Sequence, residues 1–313
     1  MQDDQPKQTE ADATLFALES AVLRSAGITI EQADVRVNGV RWHYLTCGSG
    51  EPLVLLHGRG MAAGVFAPIL RLLASEHKVF AVDLPGWGLS AKPPLDPPTA
   101  EAAMHQWADA VTQFLDAMNL PEVDILGHSL GGLIALYCAQ LHPQRIRRII
   151  VVDGAGTGTL MQWDVRLYFG LGPERLHRLL GPRFTEFVLR HEVGTRHDGS
   201  LTPDMLKFCH AVLSQSAVVS SGASAFSKYV NLRGVHFNLR TQLREIAQPV
   251  LLIWGEHDMV TPLRDGILAS RYLPDAQLVT MTHCGHVPFF ERPDDLAEVV
   301  LAWLKNYFVR SRI

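Results

Sequence analysis

Hydrophobic positions fall into two alternating rhythms along the chain. Short apolar runs bounded by turn residues, "PLVLLHG" (52–58), "KVFAVDLPG" (78–86), "VDILGHS" (123–129), "IRRIIVVDG" (146–154), "PVLLIWGEHD" (249–258) and "AQLVTMTHCGH" (276–286), are separated by segments with helical spacing. Near-continuous apolar strands of this length predict a parallel sheet covered on both faces. Ahead of them, Val35 and Val37, then Val40, Trp42 and Tyr44, alternate about an Asn38-Gly39 turn, which predicts an antiparallel hairpin at the start of the sheet. Helices are expected at 66–76, 99–118, 130–142, 264–272 and 293–308. A further amphipathic helix at 13–26 places Leu15, Leu18, Val22 and Leu23 on one face before Gly27. Between Gly156 and Gln248 the strands disappear and the pattern becomes helical and aromatic, with Trp163, Tyr168, Phe169, Phe184, Phe187, Phe226 and Tyr229. The strand series then resumes at Pro249, so the interval reads as a helical insertion.

Composition narrows the partners. The 313 residues are 47% hydrophobic, enough for a large core, and 28 basic against 32 acidic residues leave a net charge of −4 with no long charged run. Nucleic acid and anionic membranes are not expected partners; a small, largely neutral molecule is. The polar, acidic start "MQDDQPKQTEADATLF" does not resemble a secretion signal, and no apolar run approaches the roughly 20 residues that span a bilayer. Cys47, Cys138, Cys209 and Cys284 are too dispersed for a disulfide framework or a zinc site. A cytoplasmic protein without stable membrane insertion, and without metal or cofactor, is therefore expected.

The sharpest chemical signal is "ILGHSLGG", in which Gly127, Ser129 and Gly131 match G-x-S-x-G at a strand-to-helix turn. Small residues on either side let the backbone turn tightly, and the helix N-terminus supplies free N–H groups and partial positive charge. A serine hydroxyl needs a base to become a useful nucleophile. His286 follows the last predicted strand and Asp258 ends the one before it, both at carboxyl ends where open α/β sheets place their sites. Asp153, at the end of "VVDG", is a competing acid, whereas Asp83 in "DLPGWG" is read as structural. His57 is expected to stabilise a turn, His128 to pack beside the elbow, Cys284 to be a small packed residue and His283 to lie on the surface.

Five stretches in order, "LLHGRG" (55–60), "DLPGWGLS" (83–90), "GHSLGG" (127–132), "WGEHD" (254–258) and "GHVPFFERP" (285–293), resemble the α/β-hydrolase superfamily from about residue 33 onward. That resemblance implies a mostly parallel eight-stranded sheet with helices on both faces, an N-terminal extension at 1–32, a core at 33–156 and 247–313, and a helical cap at 157–246. It also implies a Ser129, Asp258, His286 triad and an oxyanion hole formed by the N–H groups of Arg59 and Leu130. Serine at the elbow argues against the dehalogenase and epoxide hydrolase branches, and Val287 after His286 departs from carbon–carbon hydrolases, which commonly carry Trp there. Met161, Trp163, Leu167, Phe169, Leu133, Val287 and Phe289 are candidate walls of an apolar acyl pocket. A carboxylic ester hydrolase for small to medium apolar acyl substrates is expected. A carbon–carbon or other acyl hydrolase, and a hydrolase-fold binding protein without turnover, stay open.

Overall fold

The computed structural model describes residues 10–94, 96–158, 163–192, 201–215, 230–231, 234–235 and 239–310. In chain order these contain α1 (Glu10–Arg24), β1 (Glu31–Val37), β2 (Val40–Cys47), β3 (Glu51–Leu56), α2 (Ala67–Leu73), β4 (His77–Val82), α3 (Ala100–Ala117), β5 (Val123–His128), α4 (Leu130–Leu141) and β6 (Ile146–Val152). There follow α5 (Trp163–Leu171), α6 (Pro173–Leu180), α7 (Pro182–Glu192), α8 (Pro203–Leu213), β7 (Val230–Asn231) and β8 (Gly234–Val235). The chain closes with β9 (Val250–Gly255), α9 (Leu263–Tyr272), β10 (Ala276–Met281), α10 (Pro288–Glu291) and α11 (Pro293–Arg310). Eight strands form one sheet in the order β1-β2-β4-β3-β5-β6-β9-β10, antiparallel at the β1–β2 and β2–β4 pairs and parallel from β4 onward.

The strands read as unbroken apolar runs because their alternate residues enter two different cores. Val54, Leu56, Ile125, Val151, Leu252 and Trp254 point to one face, under α3 and α4. Leu53, Leu55, Leu126, Ile150, Val152, Leu251 and Ile253 point to the other, under α2 and α11. Each fully buried aliphatic side chain contributes about 1.5–3 kcal/mol, so both layers hold the sheet. The last strand departs from the pattern: β10 lies at the sheet edge, and only Met281 of its six residues is buried. The interval expected to lack strands contains a two-residue antiparallel pair, β7 with β8.

Helix α1 gains a structural purpose that its sequence does not reveal. Its buried residues Leu15, Val22 and Leu23 pack into the α2 side of the core, and Glu19 reaches inward beside the 63–66 turn. A Cβ at Gly64 would lie 2.8 Å from Phe208 of α8 and 3.2 Å from Glu19, so α1, α8 and this turn meet without room for a larger residue. Glu19 Oε2 accepts a 2.8 Å hydrogen bond from His43 Nε2–H, while His43 Nδ1–H donates to Asp34 at 2.9 Å. Burial alone would lower the His43 pKa, but bonds to Asp34 and Glu19, the Glu19 charge and the nearby Asp83 raise it to about 10. A pKa raised above the ordinary 6.5 makes this stabilisation complete below about pH 6.5 and removes it as pH climbs through 10. Chemical denaturation across that window is expected to show stability falling by up to about 1.4 kcal/mol per pH unit from this one proton. His43→Gln is expected to be less stable at pH 6.5 and to lose that part of the slope; an unchanged slope would show that His43 is not protonated in the fold.

Candidate active site

Ser129 occupies the turn between β5 and α4 with φ 51° and ψ −114°, a left-handed conformation that costs a non-glycine residue on the order of 1–3 kcal/mol. Neighbouring backbone holds it there: Ser129 N–H donates to Val152 O at 3.0 Å, and Ser129 O accepts from Gly132 and Ala155 N–H at 3.0 Å each. The flanking glycines are sterically required. A Cβ at Gly127 would sit 2.2 Å from Gly131 O, and one at Gly131 would sit 2.2 Å from Leu56 O. The loop after β3 approaches equally closely, since a Cβ at Gly58 would fall 3.2 Å from Ser129 Cβ. Arg59 therefore follows directly on the point where that loop meets the elbow, and Leu130 opens α4 on its other side.

His286 Nδ1–H donates to Asp258 Oδ2 at 2.8 Å, with both side chains buried. This tautomer leaves Nε2 with its lone pair. Asp258 is held as a carboxylate acceptor by the N–H groups of Val260 (2.7 Å) and Thr261 (2.9 Å) on Oδ1, and by the Thr261 hydroxyl (2.7 Å) on Oδ2. Ser129, His286, Arg59 and His128 line one cavity of about 60 Å³. The arrangement puts a serine hydroxyl in the same cavity as an imidazole oriented by a carboxylate, the three groups that serine-based acyl transfer uses.

Asp153 lies beside this pair without reaching the imidazole. It has φ 47°, its Oδ1 accepts from Gly255 N–H at 2.8 Å, and its main-chain oxygen shares the Thr261 hydroxyl with Asp258. Complete burial, then the neighbouring Asp258 charge, pushes Asp153 well above the usual carboxylate range. It is thus a buried neighbour of the pair, while Asp258 is the acid bonded to His286.

Two residues given small or no roles by sequence hold the imidazole loop. His128 Nε2–H donates to the His286 carbonyl at 2.7 Å, and burial followed by the adjacent His286 pushes its pKa well below 6.5, keeping it neutral. Glu291 accepts from Gly285 N–H at 2.8 Å and Val287 N–H at 3.3 Å, bracketing His286. Burial raises its pKa to about 7. Glu291 stands within "GHVPFFERP", so its position was visible, but its backbone partners were not.

The remaining candidates separate clearly. His57 Nδ1–H donates to Gly58 O at 2.8 Å and its Nε2 accepts from Leu84 N–H at 3.0 Å, so it is a turn residue. Asp83 accepts from Ala63 and Leu89 N–H at 2.6 Å each. Cys284 is buried and burial pushes its thiol pKa up, whereas His283 is exposed. Arg59, ambiguous in the sequence, pairs with buried Glu174 of α6 at 2.5 Å and lies over the Phe169 ring at 5.0 Å. Among the expected pocket residues, Phe169 lines the cavity and Leu167 lines an adjoining groove. Leu133, Val287 and Phe289 instead pack inside the cores with no exposed surface: Leu133 abuts Gly156, and the Phe289 ring packs against His128 and Phe66. Met161 and the Trp163 side chain lie outside the described residues. Tyr168, which sequence reading did not select as a pocket wall, lines both spaces.

Two acid–histidine groups have metal-like spacing among the described residues: exposed Glu256, His257 and His283, and buried Glu19, His43 and Asp83. In the buried group both His43 ring nitrogens donate hydrogen bonds, which removes the lone pair a metal needs.

A model of the alpha/beta hydrolase family matches residues 53–299. The 2-hydroxy-6-oxo-6-(2'-aminophenyl)hexa-2,4-dienoic acid hydrolase of Metapseudomonas resinovorans is 26% identical over 277 residues, covering 87% of this chain and 90% of its own. The pimeloyl-[acyl-carrier protein] methyl ester esterase of Shewanella woodyi is 28% identical, covering 85% and 98% respectively. A carboxylesterase structure from Bacillus subtilis superposes with TM-score 0.78 at 23% identity, covering 95% of this chain and 99% of that one, which speaks to the fold.

Substitution separates the two buried acids. Asp258→Asn is expected to lower kcat for a cleaved substrate by about 10⁴-fold through the wrong imidazole tautomer. Asp153→Asn, which keeps an oxygen acceptor for Gly255 N–H, should retain most activity; equal losses in the two variants would contradict the assignment of Asp258, rather than Asp153, as the acid that orients His286.

Proposed function

The chain belongs to the alpha/beta hydrolase family, and from that premise we propose that it is a serine hydrolase of carboxylic esters. One observation carries the reading: a serine held in a strained turn shares a small cavity with an imidazole whose other nitrogen is bonded to a buried carboxylate. Ser129 Oγ attacks the acyl carbonyl as His286 Nε2 takes its proton. Arg59 and Leu130 N–H groups hold the oxyanion, each worth about 3 kcal/mol of barrier lowering. His286 then protonates the leaving alcohol, and water activated by the same imidazole releases the acid and regenerates Ser129. In this reading residues 157–246 act as a cap over a core of 33–156 and 247–313, with 1–32 as an extension tied down through α1.

The Arg59–Glu174 pair supports a neutral ester as substrate. The Arg59 guanidinium next to the oxyanion loop is matched by Glu174, so its charge is largely neutralised before substrate arrives. A dienoic acid of the kind named for the Metapseudomonas relative carries a carboxylate, which a paired Arg59 attracts less than an unpaired one would. That 26% identity nevertheless makes carbon–carbon hydrolysis the reading to test against.

A fluorophosphonate is expected to label Ser129 in the intact enzyme, with Ser129→Ala neither labelled nor active on 4-nitrophenyl esters. Faster turnover of a ring-fission dienoate than of every neutral ester would instead select carbon–carbon chemistry. Glu174→Gln should shift relative kcat/KM toward anionic substrates by exposing the Arg59 charge; an unchanged preference would show that the pair does not set charge selectivity.

A further inference from the structure

The last two strands of the sheet deliver a second set of side chains besides Asp258 and His286. β9 and β10 run parallel with Gly255 opposite Met281, so their loops leave the sheet in step. Backbone bonds pin the two loops together: Glu256 N–H donates to Met281 O at 3.0 Å, and His257 N–H donates to Cys284 O at 2.8 Å. The approach is tight, since a Cβ at Gly255 would fall 2.0 Å from Gly285 O. His283 takes φ 55°, and its N–H donates to Glu256 Oε2 at 3.1 Å. The Asp258 and His286 side chains are buried, whereas Glu256, His257 and His283 are exposed, with one ligand atom of each within 4.8 Å of the others. His257 Nε2 stands 3.9 Å from Glu256 Oε2, and the two side chains are 50% and 42% exposed. The His257 and His283 rings are tilted neighbours with centroids 6.1 Å apart. Unlike His43, whose two nitrogens are both bonded, neither ring is engaged in a hydrogen bond among the described residues. Both therefore keep a lone pair to offer.

We propose that Glu256, His257 and His283 form a binding site for a divalent transition-metal ion such as zinc, which ties the loop carrying Asp258 to the loop carrying His286. Two imidazoles and one carboxylate are a donor set that such ions take, whereas calcium and magnesium require oxygen ligands. Tetrahedral zinc with ligands at about 2.1 Å needs donor atoms about 3.4 Å apart, so the exposed side chains close in by at most about 1.5 Å while the pinned backbone stays in place. Water takes the fourth position, which faces solvent. Arg292, which donates to Thr282 O at 3.2 Å on the same loop, is itself paired with Asp295 and adds little repulsion. Nothing in the spacing of residues 256, 257 and 283 along the chain marks this group; the parallel register of β9 and β10 assembles it. The site stands whatever bond the enzyme cleaves.

The test is calorimetric titration of the full chain, free of any polyhistidine tag, with zinc chloride, alongside His257→Gln, His283→Asn and His191→Gln. Asparagine tolerates the left-handed backbone at 283, so that variant is expected to fold, and the Tm of each metal-free protein checks it. With three protein ligands rather than the four of a closed structural site, the native protein is expected to bind one zinc ion with Kd on the order of 10 µM. Either imidazole substitution should weaken binding at least about tenfold. His191 is an exposed histidine 3.9 Å from Asp164, and His191→Gln should bind zinc as the native protein does. Zinc at tenfold over Kd should raise the native Tm by about 3 °C, whereas magnesium and calcium at the same concentration should not. Hydrogen exchange adds a readout of the tie itself: zinc should slow the amides of 256–257 and 283–285 in the native protein and not in His283→Asn. Absence of saturable zinc binding would overturn the proposal. So would binding that survives both imidazole substitutions and disappears in His286→Ala, which would place the ion at the catalytic histidine. Equal weakening in His191→Gln, or zinc binding that leaves exchange in both loops unchanged, would overturn it as well.

Discussion

The left-handed turn at Ser129 is the constraint from which the rest of the site follows. A serine adopts φ near 51° only when its surroundings enforce it, and here β6 and the following loop do so through Val152 and Ala155. The turn demands glycine at 127 and 131, because side chains there would meet backbone oxygens at 2.2 Å. It also fixes where other elements can approach. The Gly58–Arg59 loop arrives from β3, and the His286 loop arrives from β10 through the His128 side chain, which bonds the His286 carbonyl. The sheet therefore works as a jig: parallel strands bring their carboxyl ends to one edge, and the turn determines what stands there.

Burial makes the electrostatics decisive. Asp258 and Asp153 are both inside, and two like charges this close cannot both be maintained cheaply. Three donors from Val260 and Thr261, together with His286, surround the Asp258 carboxyl, whereas burial and the Asp258 charge push Asp153 well above the usual carboxylate range. Glu291 and His128 illustrate a related economy, since each fixes the imidazole loop through backbone groups and not through the ring. Arg59 and Glu174 extend the same logic upward, joining the loop beside the elbow to α6 through a buried ion pair.

Sequence made the fold legible because burial on both sheet faces leaves an unmistakable trace: residues such as Val54 and Leu55 enter opposite cores yet are adjacent in the chain. It was less informative at β10, an edge strand whose half-exposed pattern resembles no continuous run, and at β7–β8, too short to produce a period. The candidates at 127–131, 258 and 286 stood out because a G-x-S-x-G turn, an acid and a histidine each fall at a strand end, and the structure brings 258 and 286 within hydrogen-bond distance. Glu174 was not visible, because its partner Arg59 lies 115 positions away and a lone glutamate on a helix looks solvated. The pocket walls show why apolar character alone decides little. Leu133, Val287 and Phe289 went to the core, while Leu171 and Leu176, equally apolar, came to line the groove.

The central claim is covalent: the acyl group passes through Ser129 before water receives it. The most direct measurement is product partitioning in water–methanol mixtures, using two esters with the same acyl group and different leaving alcohols. A shared acyl-enzyme predicts one ratio of methyl ester to free acid for both substrates, whatever their rates. A ratio that changed with the leaving alcohol, or hydrolysis that formed no methyl ester from either, would contradict the account.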